Sequence, residues 1–217
     1  MLVGAYTEVE MSNCHPQAFA QAYISKYLVP VSNHVVDLHR RTPGLTRQPF
    51  IYADPYYEDR TSCLSPDEYG QFWQKVFLAA PGFSLIAPQD GVGAHNLSQS
   101  TVSKFLTALR SASHAAQRRF GVLVELFENY PVGSRHHQPD CAHRRAAPWH
   151  RIQQQLQREV FFVDDLNGSN EFTAWEFHSY LSPLPGPCDW AQGNNSQRNA
   201  SDGLYQTYKR YVEKLAV

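Results

Sequence analysis

The 217-residue chain has only four cysteines, with no CxxC pair and no histidine at zinc-finger spacing from any of them. That excludes the common zinc modules and the thioredoxin-type redox motif. Cys14, Cys63, Cys141 and Cys188 are widely scattered, and thiols so placed are expected to be free, buried or in loops rather than a cross-linked framework. A dominant charge is also missing, because 19 Lys and Arg face 20 Asp and Glu for a net charge of -1. With neither a basic arm nor a positive field, no nucleic-acid partner is expected. No apolar run approaches the roughly 18 residues of a membrane span, so no membrane partner is expected either. Met1 to Glu10 lacks the basic-then-apolar order of a signal peptide. The expected compartment therefore stays open: cytoplasmic if the chain starts here, secreted if a leader precedes it. Four N-x-S/T sequons, at Asn96, Asn167, Asn194 and Asn199, fit the secreted alternative.

What the chain does have is aromatic content of 13%, with 12 Tyr, 12 Phe and 4 Trp. That suits a packed core and a cleft that stacks flat ligands. Short β-like runs alternate with longer helical ones. Leu2 to Glu10 reads as a strand, and Ala18 to about Arg41 reads as a helix that Pro30 kinks or interrupts. Pro49–Ala53 is a buried strand ending at Asp54. Ser65-Pro66-Asp67-Glu68 has the pattern of a capping box opening a helix to about Leu78. Phe83–Ala87 is a third strand, a helix capped at Ser98 or Ser100 runs to Arg118, and Phe120–Val124 is a fourth strand ending at Glu125. Trp149–Glu159 is helical, Phe172–Phe177 is a last strand, and Leu204–Leu215 closes the chain as an amphipathic helix.

Five strands alternating with helices call for a parallel sheet. The strand-end acids Glu10, Asp54, Asp90 and Glu125 are spaced by 44, 36 and 35 residues, close to one βα unit of a barrel with loop insertions. The expected fold is α/β, a (β/α) barrel of TIM type that is N-terminally incomplete. About five βα units, equivalent to strands four to eight, form one domain over residues 1–217, with insertions at about 129–147 and 183–203. In a barrel, strand ends converge at the face where catalysis happens. Several acids there drive their pKa values apart, giving the acid and the nucleophile that glycoside cleavage needs. Each acid taken singly is also a candidate cap for the following helix. Gln89-Asp90-Gly91-Val92-Gly93 is the most specific local string, its glycines allowing close backbone approach.

The strings Asp54-Pro55-Tyr56-Tyr57, Ser65-Pro66-Asp67-Glu68, Ala87-Pro88-Gln89-Asp90-Gly91-Val92-Gly93, Glu125-Leu126-Phe127-Glu128 and Phe177-His178-Ser179-Tyr180-Leu181-Ser182-Pro183 occur in this order. Together they resemble a domain-of-unknown-function family of glycoside-hydrolase-like TIM-barrel proteins. The opening Gly4-Ala5-Tyr6 with Glu10 is similar to that family's G-W-Y…E strand. The resemblance covers about residues 3 to 215 and implies fold more strongly than chemistry. If the last strand is the eighth, Glu10 ends strand four and Glu125 ends strand seven. That placement is similar to retaining glycosidases with acid/base on strand four and nucleophile on strand seven.

On this reading Glu10 is the acid/base and Glu125 the nucleophile, with Glu8 and Glu128 as rivals. Asp90 and Gln89 would hold sugar hydroxyls or tune a glutamate, Tyr6 and Tyr56 would line the cleft, and Asp54, Glu176 and His178 complete the substrate-binding set. Two departures stand out: Val9 precedes Glu10 where the group has Asn, and three strands of a full barrel are not visible. A second copy associating with this one would cover the gap. The expected partner is a carbohydrate substrate, with no cofactor and no metal. Two alternatives remain: a non-catalytic carbohydrate-binding or degenerate barrel, and a metal-dependent α/β-barrel enzyme using Asp90, Glu125, Glu176 and His178.

Overall fold

A computed structural model describes residues 4–6, 10–15, 17–42, 50–129, 144–159, 161–162, 165–166, 169–170, 172–175, 203 and 206–210. Strand β1 (Gly4–Tyr6) is followed by α1 (Gln17–Tyr23), a π-helical segment (Ile24–Leu28) and α2 (Val29–Arg41). Next come β2 (Phe50–Ala53), α3 (Pro66–Ala79), β3 (Phe83–Ile86), α4 (Gln99–Ala115), β4 (Arg119–Phe120) and β5 (Val122–Glu125). The order ends with β6 (Phe127–Asn129), β7 (Arg144–Ala146), α5 (Trp149–Glu159), β8 (Asp165–Leu166), β9 (Ser169–Asn170) and β10 (Phe172–Trp175), and 206–210 are helical.

The strands pair in parallel and in chain order, β1-β2-β3-β4, while β10 pairs in parallel with β5. Gly121 alone separates β4 from β5, and the two run on beside β3. Gly121 donates to the Ile86 carbonyl at 2.8 Å, Leu123 to that of Pro88 at 2.9 Å, and Gln89 bridges Leu123. The sheet therefore steps one way along the chain, without the reversal of strand order found in a doubly wound sheet. The expected alternation of strand and helix is present, giving a mixed fold around a small parallel sheet.

Several elements start or bend for local reasons. Ser65 Oγ accepts from Glu68 N at 3.4 Å while a Glu68 carboxylate oxygen accepts from Ser65 N at 2.8 Å, the reciprocal cap that Ser-Pro-Asp-Glu encodes. Donation to the Glu68 carboxylate from the Ser65 hydroxyl at 2.7 Å, and then from Ser65 N, lowers the Glu68 pKa. Ser98 caps α4 through Thr101 N, but α4 ends at Ala115, before the expected Arg118, because Ser113 Oγ donates to the carbonyls of Arg118 and Arg119 at 2.9 Å and draws the chain into β4. The α-helix is interrupted beside Pro30, as expected, by a π-helical segment rather than by a break in the helical path. One wider turn precedes the proline, with Val29 N donating to the Ile24 carbonyl, which makes room for the ring that a regular α-turn would clash with.

The helices pack an aromatic core against the sheet. Tyr57 stacks on Phe105 at 4.3 Å, and Tyr69, Trp73 and Phe77 follow one another along α3. Helices α3 and α4 approach closely at Gly70, where a Cβ would lie 2.9 Å from the Ala108 carbonyl oxygen. The buried Tyr69 hydroxyl donates to the carbonyls of Met11 (2.5 Å) and Tyr56 (3.2 Å), tying α3 to the chain beyond β1 and β2. Burial pushes its pKa far up, so it stays a donor.

The cysteine expectation is corrected. Cys14 and Cys63 form a disulfide across 49 residues, because the β1–α1 and β2–α3 loops meet at one rim. Between them Asn13 is buried, its amide donating to the Glu58 and Leu64 carbonyls and accepting from Glu58 N at 2.9 Å. Cys141 and Cys188 lie outside the described residues.

Candidate functional site

Parallel strands in sequential order carry their C-terminal ends to one edge of the sheet. Of the expected site residues, Glu10, Asp54, Tyr56, Gln89, Asp90 and Glu125 all lie at that edge. Tyr6 lies in β1, opposite Tyr52. Glu176 and His178, like Glu8, lie outside the described residues.

Glu125 closes β5 and is 1% exposed. One carboxylate oxygen, Oε2, accepts from Gly93 N at 2.6 Å and Ala94 N at 2.7 Å, two successive amides of the β3–α4 loop. Gly93 makes this approach possible, since a Cβ there would sit 2.2 Å from the Phe127 carbonyl oxygen. Asn129 secures the same loop from β6 by donating to the Ala94 carbonyl at 2.7 Å.

Asp90 is fully buried, and both its oxygens are engaged. Oδ1 accepts from Val92 N (3.1 Å) and Glu125 N (3.4 Å), and Oδ2 from the Gln155 amide of α5. The Tyr57 hydroxyl donates to the Asp90 carbonyl at 3.3 Å. Asp90 thus touches Glu125 through the backbone. Gln89, the residue before Asp90, donates to the Asp54 carbonyl at 3.4 Å. Asp54 is buried at the end of β2.

Helix α5 completes the cluster with three residues that the sequence reading passed over. Arg151, Gln155 and Glu159 are spaced by four and share one helical face. Arg151 donates to the carbonyls of Glu125 (3.1 Å) and Phe127, Gln155 also faces the Glu125 carbonyl at 3.4 Å, and Glu159 is paired with Arg158. A signal existed: the stripe Ile152, Gln155, Leu156 and Glu159 has the spacing of a core-facing helix surface with two polar residues inside it.

Burial dominates the electrostatics. It raises the Asp90 pKa, opposed by hydrogen bonds from Gln155 and Val92 N. Burial, then the charge of Asp90, raises the Glu159 pKa well above the usual carboxylate range. The same two causes raise the Tyr57 hydroxyl, while desolvation lowers the Arg151 guanidinium.

Glu10 is half-exposed just beyond β1. Two strands, β2 and β3, stand between its strand and that of Glu125, so β1 and β5 are three steps of about 4.8 Å apart in the sheet. Nearby, Tyr56 is stacked on His95 at 5.6 Å and edge-on to His15 at 6.5 Å. A hollow of about 300 Å³ opens beside His15 between α1 and α3, lined by Ser12, Gln21, Tyr69, Gln71, Phe72 and Lys75. Among the described residues no group of three or more His, Cys, Asp or Glu side chains is arranged to hold a metal ion, and the oxygens of Asp90 are turned to Val92, Glu125 and Gln155 instead.

In comparison with known proteins, a family model described as a domain of unknown function, DUF4434, matches residues 2–185. No curated protein and no solved structure matches the chain. Since the match spans most of the sequence, this chain belongs to the DUF4434 family.

Proposed function

We propose that the parallel strands are an arc of a TIM-type (β/α) barrel and that the protein cleaves glycosidic bonds in a poly- or oligosaccharide. The observation that carries this reading is the common edge: sequential parallel strands deliver Glu10 and Glu125 to the same end of the sheet. In a barrel that edge is the catalytic face. Curvature of the arc would turn two carboxylates three strand steps apart toward each other, to the roughly 5–5.5 Å that a retaining mechanism needs. Glu125, placed by two backbone N–H groups, is the nucleophile, and Glu10, with its access to solvent, is the acid/base. Asp90 acts from below by fixing the backbone of Glu125 rather than by touching sugar.

A second reading, binding without cleavage, is favoured by the hollow beside His15. Amide side chains, a lysine and an aromatic wall are the mixture that holds a sugar ring. The test is a panel of defined oligosaccharides offered to the parent protein and to Glu125→Gln. The glutamine can still accept both backbone N–H bonds, so folding and binding should persist while turnover falls by about 10³-fold or more. Binding by the parent without any product supports the second reading, and no binding at all overturns both.

A further inference from the structure

We propose that the Arg151–Gln155–Glu159 face of α5 is the positioning device for the Glu125 carboxylate, with Asp90 as its relay. Its closed form depends on a proton kept between Asp90 and Glu159. The inference rests on the reading of Glu125 as the working carboxylate, and its geometry forms a continuous chain. Gln155 holds Asp90 Oδ2, Asp90 Oδ1 holds Val92 N and Glu125 N, and the loop begun by Val92 gives Gly93 N and Ala94 N to Glu125 Oε2. Arg151 closes the circuit by holding the Glu125 carbonyl. Apart from the local Asp90–Val92 bond, each link joins segments distant in sequence, so moving α5 would move the carboxylate.

The proton follows from burial and from missing donors. Glu159 is 0% exposed, its Oε1 meets Arg158, and its Oε2 meets no donor while the carboxyl faces that of Asp90. An ionised carboxylate with one oxygen unserved in the interior is costly, whereas a protonated one can give its hydrogen to Asp90. The other charged or titratable groups facing this pair are Tyr57 from the β2–α3 loop, Glu125 from β5, and Arg151 and Arg158 from α5 itself. Tyr57 stays neutral, so only the two arginines favour ionisation of Glu159. Desolvation and the charge of Asp90 oppose it. Loss of the proton would set two carboxylates against each other beneath Glu125 and loosen the loop at Gly93 and Ala94.

The experiment needs no ligand. Amide proton shifts and exchange protection of Gly93 and Ala94 are followed by NMR from about pH 5 to pH 9 in the parent, Glu159→Gln and Gln155→Leu. If opening requires loss of one proton, protection in the parent falls by up to about tenfold per pH unit between the open-state pKa of Glu159 and its raised value in the closed form. In Glu159→Gln, which cannot ionise but can still donate to Asp90, protection should stay level across the range. In Gln155→Leu the Gly93 and Ala94 shifts should move toward unbonded values at every pH. Protection independent of pH in the parent, or the same fall in Glu159→Gln, overturns the proposal. The oligosaccharide assay on the same proteins separates the two readings. Turnover without the pH-dependent opening removes the device alone, and the opening without turnover removes the hydrolase reading alone.

Discussion

At Gly93 the backbone leaves no space for a side chain, because the Phe127 carbonyl and Glu125 Oε2 crowd the position a Cβ would take. Gly93→Ala should therefore cost about 2–4 kcal/mol in urea unfolding and release the loop that holds Glu125. A change below about 0.5 kcal/mol, within the range of ordinary surface substitutions, would show that the loop is not seated as described. At this scale the sequence was informative about residue types and silent about partners. Asp90, Glu125 and the glycines could be singled out because acids after apolar runs and paired glycines are local patterns. That Asp90 would spend its oxygens on Val92, Glu125 and Gln155 could not be read, since Gln155 lies 65 residues away. Glu159, fully buried beside another carboxyl, was likewise hidden inside an ordinary-looking helix.

Among the elements, helix starts were the most legible features because a cap is written in four consecutive residues. Ser65 and Glu68 form the box their spacing encodes. Ser65→Ala should lower stability by about 1 kcal/mol in a thermal melt, and an unchanged melting temperature would mean the cap contributes nothing. Glu68 adds a dependence on acid. Its pKa is lowered in the folded state, so its contribution is present above the unfolded value and lost as pH falls through the folded one. Helix α5 starts and ends where its periodicity predicts. The antiparallel pair of β6, which ends where the expected insertion begins, and β7, which lies inside it, was not foreseen. Phe127–Asn129 and Arg144–Ala146 are three residues each, too short for alternation to stand out, and they are well separated in sequence. That the interruption at Pro30 would take the form of a π-turn was not legible for a related reason. A proline marks a conflict in a helix, but whether the helix breaks or widens depends on what packs around it.

For the whole molecule, the bond between Cys14 and Cys63 joins the first two loops of the sheet edge. Closing 49 residues removes unfolded-state entropy worth roughly 4 kcal/mol in the chain-entropy treatment. The double substitution Cys14→Ser with Cys63→Ser should lower unfolding stability by up to that amount. A non-reducing peptide map should show the two cysteines in one linked fragment, and free thiols at both positions in the oxidised protein would refute the link. The three hydrogen bonds of Asn13 span the same loops, so the rim should keep its native arrangement after reduction.

The sequence by itself determined where the main strands and helices alternate, that those main strands pair in parallel, and which acids follow them. Those properties are carried by residues two to four apart, a range over which spacing alone fixes which side chains share a face. The tertiary structure decided which oxygen meets which donor. It drew Cys14 to Cys63, Gly93 to Glu125, and α5 onto Asp90, across 49, 32 and 65 residues. Such pairings depend on the path of the chain and on the cost of burying an unpartnered polar group, and neither is written in any short stretch of residues.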